Sequence, residues 1–248
     1  GDAPRGARHI WVNQPDFSAK IVDDGRVVFK TRVVIGKDQA DRRSPEFSDQ
    51  MEYMAANPSW GVPRSIIVKE YLPLLQRNPN AVAHLQVVDR NGRVISRNAV
   101  NFAAYSARSF PYGLRQPPSE RNALGKVKFM FPNPYNIYLH DTPDKALFSK
   151  EMRAYSHGCI RLGDPLDFAY TLLARQSEDP KGEFAEHLAT RKENNITLAT
   201  PVPVHLVYFT AWPEADGLIS YRQDVYGRDK LLFDALTKAG VVLPLVQG

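Results

Sequence analysis

The run Ala154-Tyr155-Ser156-His157-Gly158-Cys159-Ile160-Arg161 decides how this chain is read, because it holds the single cysteine of 248 residues. A free cysteine is ordinarily a small buried hydrophobe. Here its neighbours are polar, cationic or without a side chain, a setting that suits reaction better than packing. A thiol ionises near pH ~8.5 in water, and adjacent positive charge or hydrogen-bond donors draw it toward thiolate. Gly158 leaves the backbone bare beside the sulfur, so a bulky substrate can approach. The N–H groups of the same turn are placed to hold a developing oxyanion. A lone cysteine also admits the structural reading, a thiol packed beside a surface loop, but this context favours the reactive one.

Working outward, residues 127–131 and 136–140 read as strands joined by Pro132-Asn133-Pro134-Tyr135. In the second, the two-residue period puts Ile137 and Leu139 on one face and Tyr138 and His140 on the other. The aliphatic pair belongs to the core, so Tyr138 and His140 look into a cleft. Downstream, Asp164-Pro165 is a helix start, and Leu166, Ala169, Tyr170 and Leu173 follow helical spacing. Asp179-Pro180 opens a second short helix. Toward the N-terminus, residues 9–36 read as strands with a turn at Asp24-Gly25, and 37–62 as a polar stretch punctuated by Phe47, Tyr53 and Trp60. A helical patch from Ser65 is interrupted by Pro73, and residues 85–96 form a hairpin through Arg90-Asn91-Gly92. Residues 201–210 are a β-branched run, Asp216-Gly217 a turn, 218–222 the return strand, and 229–239 a helix ended by Gly240. The pattern is mainly β with a few helices, an α+β chain.

Composition bounds the function. Hydrophobic residues make up 43% and charged residues 24%, as in ordinary globular proteins. The net charge of +5, from 32 basic and 27 acidic residues, is spread along the chain. That suits an anionic substrate or surface, and no nucleic-acid-binding pattern accompanies it. No apolar run is long enough to span a bilayer, so membrane anchoring would need segments outside this sequence. The opening Gly1-Asp2-Ala3-Pro4 reads as a mature or truncated start, with targeting information upstream.

His140, an intervening loop and Ser156-His157-Gly158-Cys159-Ile160-Arg161 together resemble the motif of the YkuD-type L,D-transpeptidases. The resemblance extends over Asn122-Ala123-Leu124-Gly125, Phe129-Met130-Phe131-Pro132-Asn133 and Ile137-Tyr138-Leu139-His140-Asp141-Thr142-Pro143. With Asn57-Pro58-Ser59-Trp60 and Val62-Pro63, these are similar to the subgroup whose catalytic domain carries an inserted capping subdomain. Pro201-Val202-Pro203-Val204 and Tyr226-Gly227-Arg228-Asp229 resemble its C-terminal extension.

The resemblance implies a YkuD-like β-sandwich catalytic domain, a mostly helical cap inserted at about residues 60–113, and an extension over about 181–248. It implies a periplasmic or other bacterial envelope enzyme acting on peptidoglycan peptide stems without metal or cofactor. Cys159 would attack the carbonyl of a stem's third, diaminopimelate-type residue and expel D-Ala, and an amine of another stem would resolve the thioester into a 3–3 crosslink. His140 would be proton acceptor and donor, oriented by the carbonyl of Asp141, where many relatives have Gly. His157 and the backbone of Gly158 and Cys159 would form the anion-stabilising turn, with Ser156 fixing it. Arg161, Ser156, Tyr138 and Trp60 are the candidate substrate contacts. Carbapenem β-lactams are the expected covalent inhibitors. The same chemistry with water gives an L,D-carboxypeptidase, and with a protein amine an enzyme that anchors envelope proteins. A non-catalytic wall-binding module is the reading from a different class. Without the resemblance, His140 also fits a solvated histidine at a strand end, Arg161 a surface charge, and Trp60 a packing aromatic.

Overall fold

The computed structural model describes residues 5–214 and 216–241. Its strands and helices in chain order begin with β1 (Arg8–Asn13), β2 (Ser18–Asp23), β3 (Arg26–Gly36) and β4 (Phe47–Ala56). A second lobe follows, with β5 (Trp60–Gly61), α1 (Arg64–Ile66), a π-helical turn (Ile67–Tyr71), α2 (Leu72–Arg77), β6 (Gln86–Val88), β7 (Val94–Ile95) and β8 (Gly113–Gln116). The chain then returns through β9 (Val127–Met130), β10 (Leu139–His140), β11 (Ala154–Ser156) and β12 (Ile160–Leu162). It ends in α3 (Pro165–Leu173), α4 (Pro180–Ala189), β13 (Asn194–Val207), β14 (Ala211–Pro213), β15 (Ile219–Tyr221) and α5 (Arg228–Lys238).

Nine strands form one sheet in the order β11-β3-β12-β10-β9-β4-β13-β1-β2, and β2 also pairs with β3, so the sheet closes on itself. The facing layers expected of a sandwich are halves of this single closed sheet. Its interior holds Ile10, Val33, Ile35, Met54, Leu139, Ile160 and Leu162. α3 packs on this core through Phe168, whose ring meets Phe129 edge-on at 4.9 Å between centroids. Burying one such side chain stabilises by roughly 1.5–3 kcal/mol. The two helix starts differ in detail. Asp179 caps α4 by accepting from the Gly182 N–H at 3.0 Å, whereas Asp164 uses its carboxylate to accept from Thr31 Oγ1 at 2.8 Å, tying α3 to β3.

The second lobe has its own apolar cluster, built on Ile67, Leu72, Leu75, Val87, Phe102, Phe110 and Leu114. It is not mostly helical as expected: β5-β8-β6-β7 form a four-stranded sheet, and the helices are short. Pro73 has no N–H to donate, and its ring crowds the carbonyl four residues back. Just there the helix widens, with the Leu72 N–H reaching Ile67 O five residues earlier.

Two strands depart from the reading of the sequence. β4 lies inside the stretch read as irregular. Its alternation is hidden by polar outward residues (Ser48, Gln50, Glu52) and by Met and Ala, which favour helices in isolation. β10 is shorter than the pattern suggests because Asn136 takes φ +55° and breaks the extension. Residues 1–4 and 242–248, including the end of the expected extension, lie outside the described residues.

Candidate active site

Two short parallel strands carry the site. β10 and β12 pair with Leu139 opposite Ile160 and His140 opposite Arg161. The Ile160 N–H donates to Tyr138 O at 3.1 Å, which brings Cys159 beside Tyr138. Alternation along the strands sends Leu139, Ile160 and Leu162 into the core, each fully buried. Tyr138, His140, Cys159 and Arg161 are left on the opposite face. The Tyr138 and His140 rings lie 5.7 Å apart between centroids.

His140 is buried, and its Nδ1 lies 2.5 Å from the carbonyl oxygen of Asp141. A carbonyl can only accept, so Nδ1 carries the proton and Nε2 keeps its lone pair. The Asp141 carboxylate is itself held by the Lys126 N–H at 2.8 Å, the Thr142 N–H at 2.6 Å and Lys145 Nζ at 2.6 Å. Burial, and then the Arg161 charge, lower the imidazole to about 3, so it is neutral across the physiological range. Cys159 is half-buried, and its thiol donates to Asn136 O at 3.8 Å. Burial pushes the thiol up to about 11, while the backbone and hydroxyl of Tyr138 and the Arg161 cation pull it back. At rest the site therefore pairs a protonated thiol with a neutral imidazole.

The turn before the sulfur is fixed from within. Ser156 Oγ accepts from the Gly158 N–H at 3.0 Å and donates to Cys159 O at 2.6 Å. Gly158 sits at φ +119°, and a Cβ there would come 3.1 Å from Ile137 Cδ1, so glycine is required. This geometry divides the donors expected in the turn. The Gly158 N–H is already used by Ser156, while the backbone N–H groups of His157 and Cys159 have no acceptor among the described residues. Ser156 is buried with its hydroxyl satisfied inside the turn, so it braces the turn and does not face a substrate.

His157 reaches its imidazole to the second lobe. Its Nε2 lies 2.8 Å from Glu70 Oε1, which also accepts from Arg42 Nη2 at 2.7 Å. Next to it in the same π turn, Lys69 Nζ pairs with Asp41 Oδ2 at 2.5 Å. Burial acts to raise the Glu70 carboxyl, but His157 and Arg42 outweigh it and hold the group below its usual range. Trp60 is packed against the apolar cluster of the second lobe, and in β5 it pairs with Gln116. Arg161 is half-buried beside Cys159 and Asp144, and its Nε is buried without a partner among the described residues. An unpaired guanidinium in that position suits a carboxylate, which it can bind with two parallel hydrogen bonds. No group of three or more His, Cys, Asp or Glu among the described residues is arranged to hold a metal ion.

Several residues of the site carry no signal in the motif. Glu70, Arg42 and Asn136 are brought in by tertiary structure alone. So is Ser44, whose Oγ donates to Gly158 O at 2.7 Å.

Residues 7–204 match the family model described as YkuD, L,D-transpeptidase catalytic domain. A provisionally named L,D-transpeptidase of Haemophilus influenzae is 30% identical over 223 residues, covering 89% of this chain and 44% of that protein. The chain thus spans less than half the length of that relative. Among solved structures, an L,D-transpeptidase from Mycobacterium smegmatis aligns at 12% identity and a TM-score of 0.37, over 81% of this chain and 58% of that one. An L,D-transpeptidase solved in complex with imipenem aligns at 12% identity and a TM-score of 0.36, over 81% and 59%. At those scores the structural likenesses carry no weight beside the family match.

Proposed function

Because the chain belongs to the YkuD family of L,D-transpeptidase catalytic domains, we propose that it is a cysteine acyltransferase acting on the peptide stems of peptidoglycan. The observation that carries this reading is one face of β10 and β12 that gathers a thiol, a neutral imidazole whose proton is on Nδ1, and a guanidinium whose Nε has no partner among the described residues, beside the Cys159 N–H, which has no acceptor among them.

The chemistry follows from those parts. Cys159 Sγ bonds to the carbonyl carbon of the third, diaminopimelate-type residue of a tetrapeptide stem as its proton passes to His140 Nε2. Since both groups rest neutral, the proton leaves as the sulfur–carbon bond forms. The new oxyanion takes the N–H of Cys159, and Arg161 binds a carboxylate of the stem. Collapse breaks the bond to D-Ala, whose amine takes the proton from His140. The thioester keeps the energy of the broken peptide bond. An amine of a second stem then attacks, gives its proton to His140, and releases the thiol, leaving a 3–3 crosslink. The second lobe acts as a cap over the groove, held down through Glu70 and Lys69. Such substrates place the protein in the bacterial envelope. A carbapenem carbonyl would acylate Cys159 in the same way.

The direct test is incubation with disaccharide-tetrapeptide and mass analysis of products. A dimer lacking one D-Ala supports transfer between stems. Trimmed monomer alone would reassign the acceptor to water, making the protein an L,D-carboxypeptidase. An unchanged substrate would refute both and favour a non-catalytic wall-binding role or an enzyme that uses a protein amine.

A further inference from the structure

The part of the C-terminal extension beyond residue 204, where the family-model match ends, reaches the catalytic turn through one buried side chain. Tyr226 is 1% exposed, and its hydroxyl donates to Gly36 O at 2.7 Å while accepting from the Ser44 N–H at 3.2 Å. Ser44, fully buried, accepts from the Gly36 N–H at 3.0 Å and donates from Oγ to Gly158 O at 2.7 Å. In this relay the hydroxyls of Tyr226 and Ser44 each donate and accept, and neither bonds to the thiol or to His140. Tyr226 is itself held by stacking on Tyr208, with ring centroids 5.6 Å apart, and by its N–H donating to Tyr208 Oη at 2.7 Å.

The carbonyl of Gly158 and the N–H of Cys159 belong to the same peptide unit, which is planar with its C=O and N–H pointing in opposite directions. Fixing the carbonyl therefore fixes where the N–H points. That N–H, like the His157 N–H before it, has no acceptor among the described residues. A hydrogen bond to the carbonyl also polarises the peptide and strengthens its N–H as a donor. Ser156 holds the neighbouring Gly158 N–H and Cys159 O from within the turn, and the bond on the Gly158 carbonyl itself comes from outside it, from Ser44.

We propose that Ser44 and Tyr226 are positioning residues for acyl transfer, which aim the Cys159 N–H at the oxyanion by holding the Gly158 carbonyl. The proposal rests on the reading of Cys159 as an acyl-accepting nucleophile. Losing a whole oxyanion donor costs about 10²–10³ in rate, so a misaimed donor should cost roughly 10- to 100-fold.

The test compares two electrophiles on Cys159 in wild type, Tyr226→Phe and Ser44→Ala, followed by mass analysis of the modified peptide. Acylation by p-nitrophenyl acetate passes through an oxyanion, whereas alkylation by iodoacetamide does not. Both variants should lose roughly 10- to 100-fold in acylation and keep alkylation within about 2-fold, with the loss in stem turnover falling on kcat and not KM. Equal losses in both reactions, or none in either, would overturn the proposal. Two variants are used because each leaves a different buried group unpaired, and a Tm measured on each excludes unfolding as the cause. A wild type acylated by the ester yet inert toward stems would refute the substrate reading while leaving the positioning test intact.

Discussion

The turn that carries the nucleophile is held from two sides by opposite means. On the buried side, Ser44 and Tyr226, 0% and 1% exposed, fix it with neutral, directional hydrogen bonds. On the other, Glu70 reaches from the second lobe to His157 and Arg42, with the Glu70 and His157 side chains each about one-third exposed (34% and 33%). Buried bonds of this kind hold an orientation, because breaking one leaves a desolvated group unpaired at a cost of about 1–3 kcal/mol. Exposed ion pairs contribute only about 0–1 kcal/mol and weaken with salt. The first arrangement suits a fixed catalytic geometry. The second suits a contact that can be made and released.

The largest effect should come from breaking the buried side at its backbone. A Cβ on Gly36 would lie 1.9 Å from Arg42 O and 2.8 Å from the Ser44 N. Gly36→Ala should lower stability by about 1–3 kcal/mol in denaturant unfolding and reduce acylation at least as much as Tyr226→Phe. Unaltered stability would show that the loop at 42–44 moves freely, which the buried-side account does not allow.

Next comes acid stability, which the same burial controls through His140. The unfolded chain takes up a proton on this residue below about 6.5, while the folded protein resists until about 3. Over that window the unfolded state binds more protons, so stability is full above 6.5 and falls as pH drops toward 3. His140→Gln should flatten this slope. An equally steep acid limb in the variant would assign it to other groups.

Thiol reactivity gives a smaller and simpler signal. With the thiol pushed up to about 11 and His140 neutral, alkylation of Cys159 should climb from pH 7 to 10 without a step near 6.5. Arg161→Gln should slow it at fixed pH, since the cation favours the thiolate. A plateau reached by pH 7 would indicate a resting thiolate–imidazolium pair instead.

The smallest effect belongs to the exposed side. Glu70→Gln should change KM for stems only a few-fold, within the ~1 kcal/mol of a surface pair, and the difference from wild type should shrink at high ionic strength. A loss as deep as that of Ser44→Ala would erase the distinction between the two sides.

The sequence carries the chemistry more fully than the architecture around it. The two-residue alternation of Tyr138 and His140 is enough to aim both at one face, and Gly158-Cys159 marks the nucleophile, because strand period and glycine freedom are local properties. Ser44 and Glu70 lie 115 and 89 residues from Cys159 in sequence, by subtraction of their numbers, and only the closed sheet and the lobe bring them near. Which of the expected Gly158 and Cys159 donors is free is not legible in the sequence for a similar reason: it depends on Ser156's rotamer, which sequence does not specify. β4 escaped because its outward face is polar and its buried end is Met-Ala-Ala. Of the lobe's sheet, the β6–β7 hairpin is legible through Asn91-Gly92, whereas β5 and β8 escaped because they are only two and four residues long.

The central claim is that Cys159 takes an acyl group from a peptidoglycan stem, and intact-protein mass spectrometry tests it most directly. Brief reaction with a tetrapeptide stem, quenched in acid, should add the mass of the stem less D-Ala, on the peptide containing Cys159, and add nothing to Cys159→Ala. Release of D-Ala by Cys159→Ala, or its release by wild type with the acyl group on any other residue, would contradict the account.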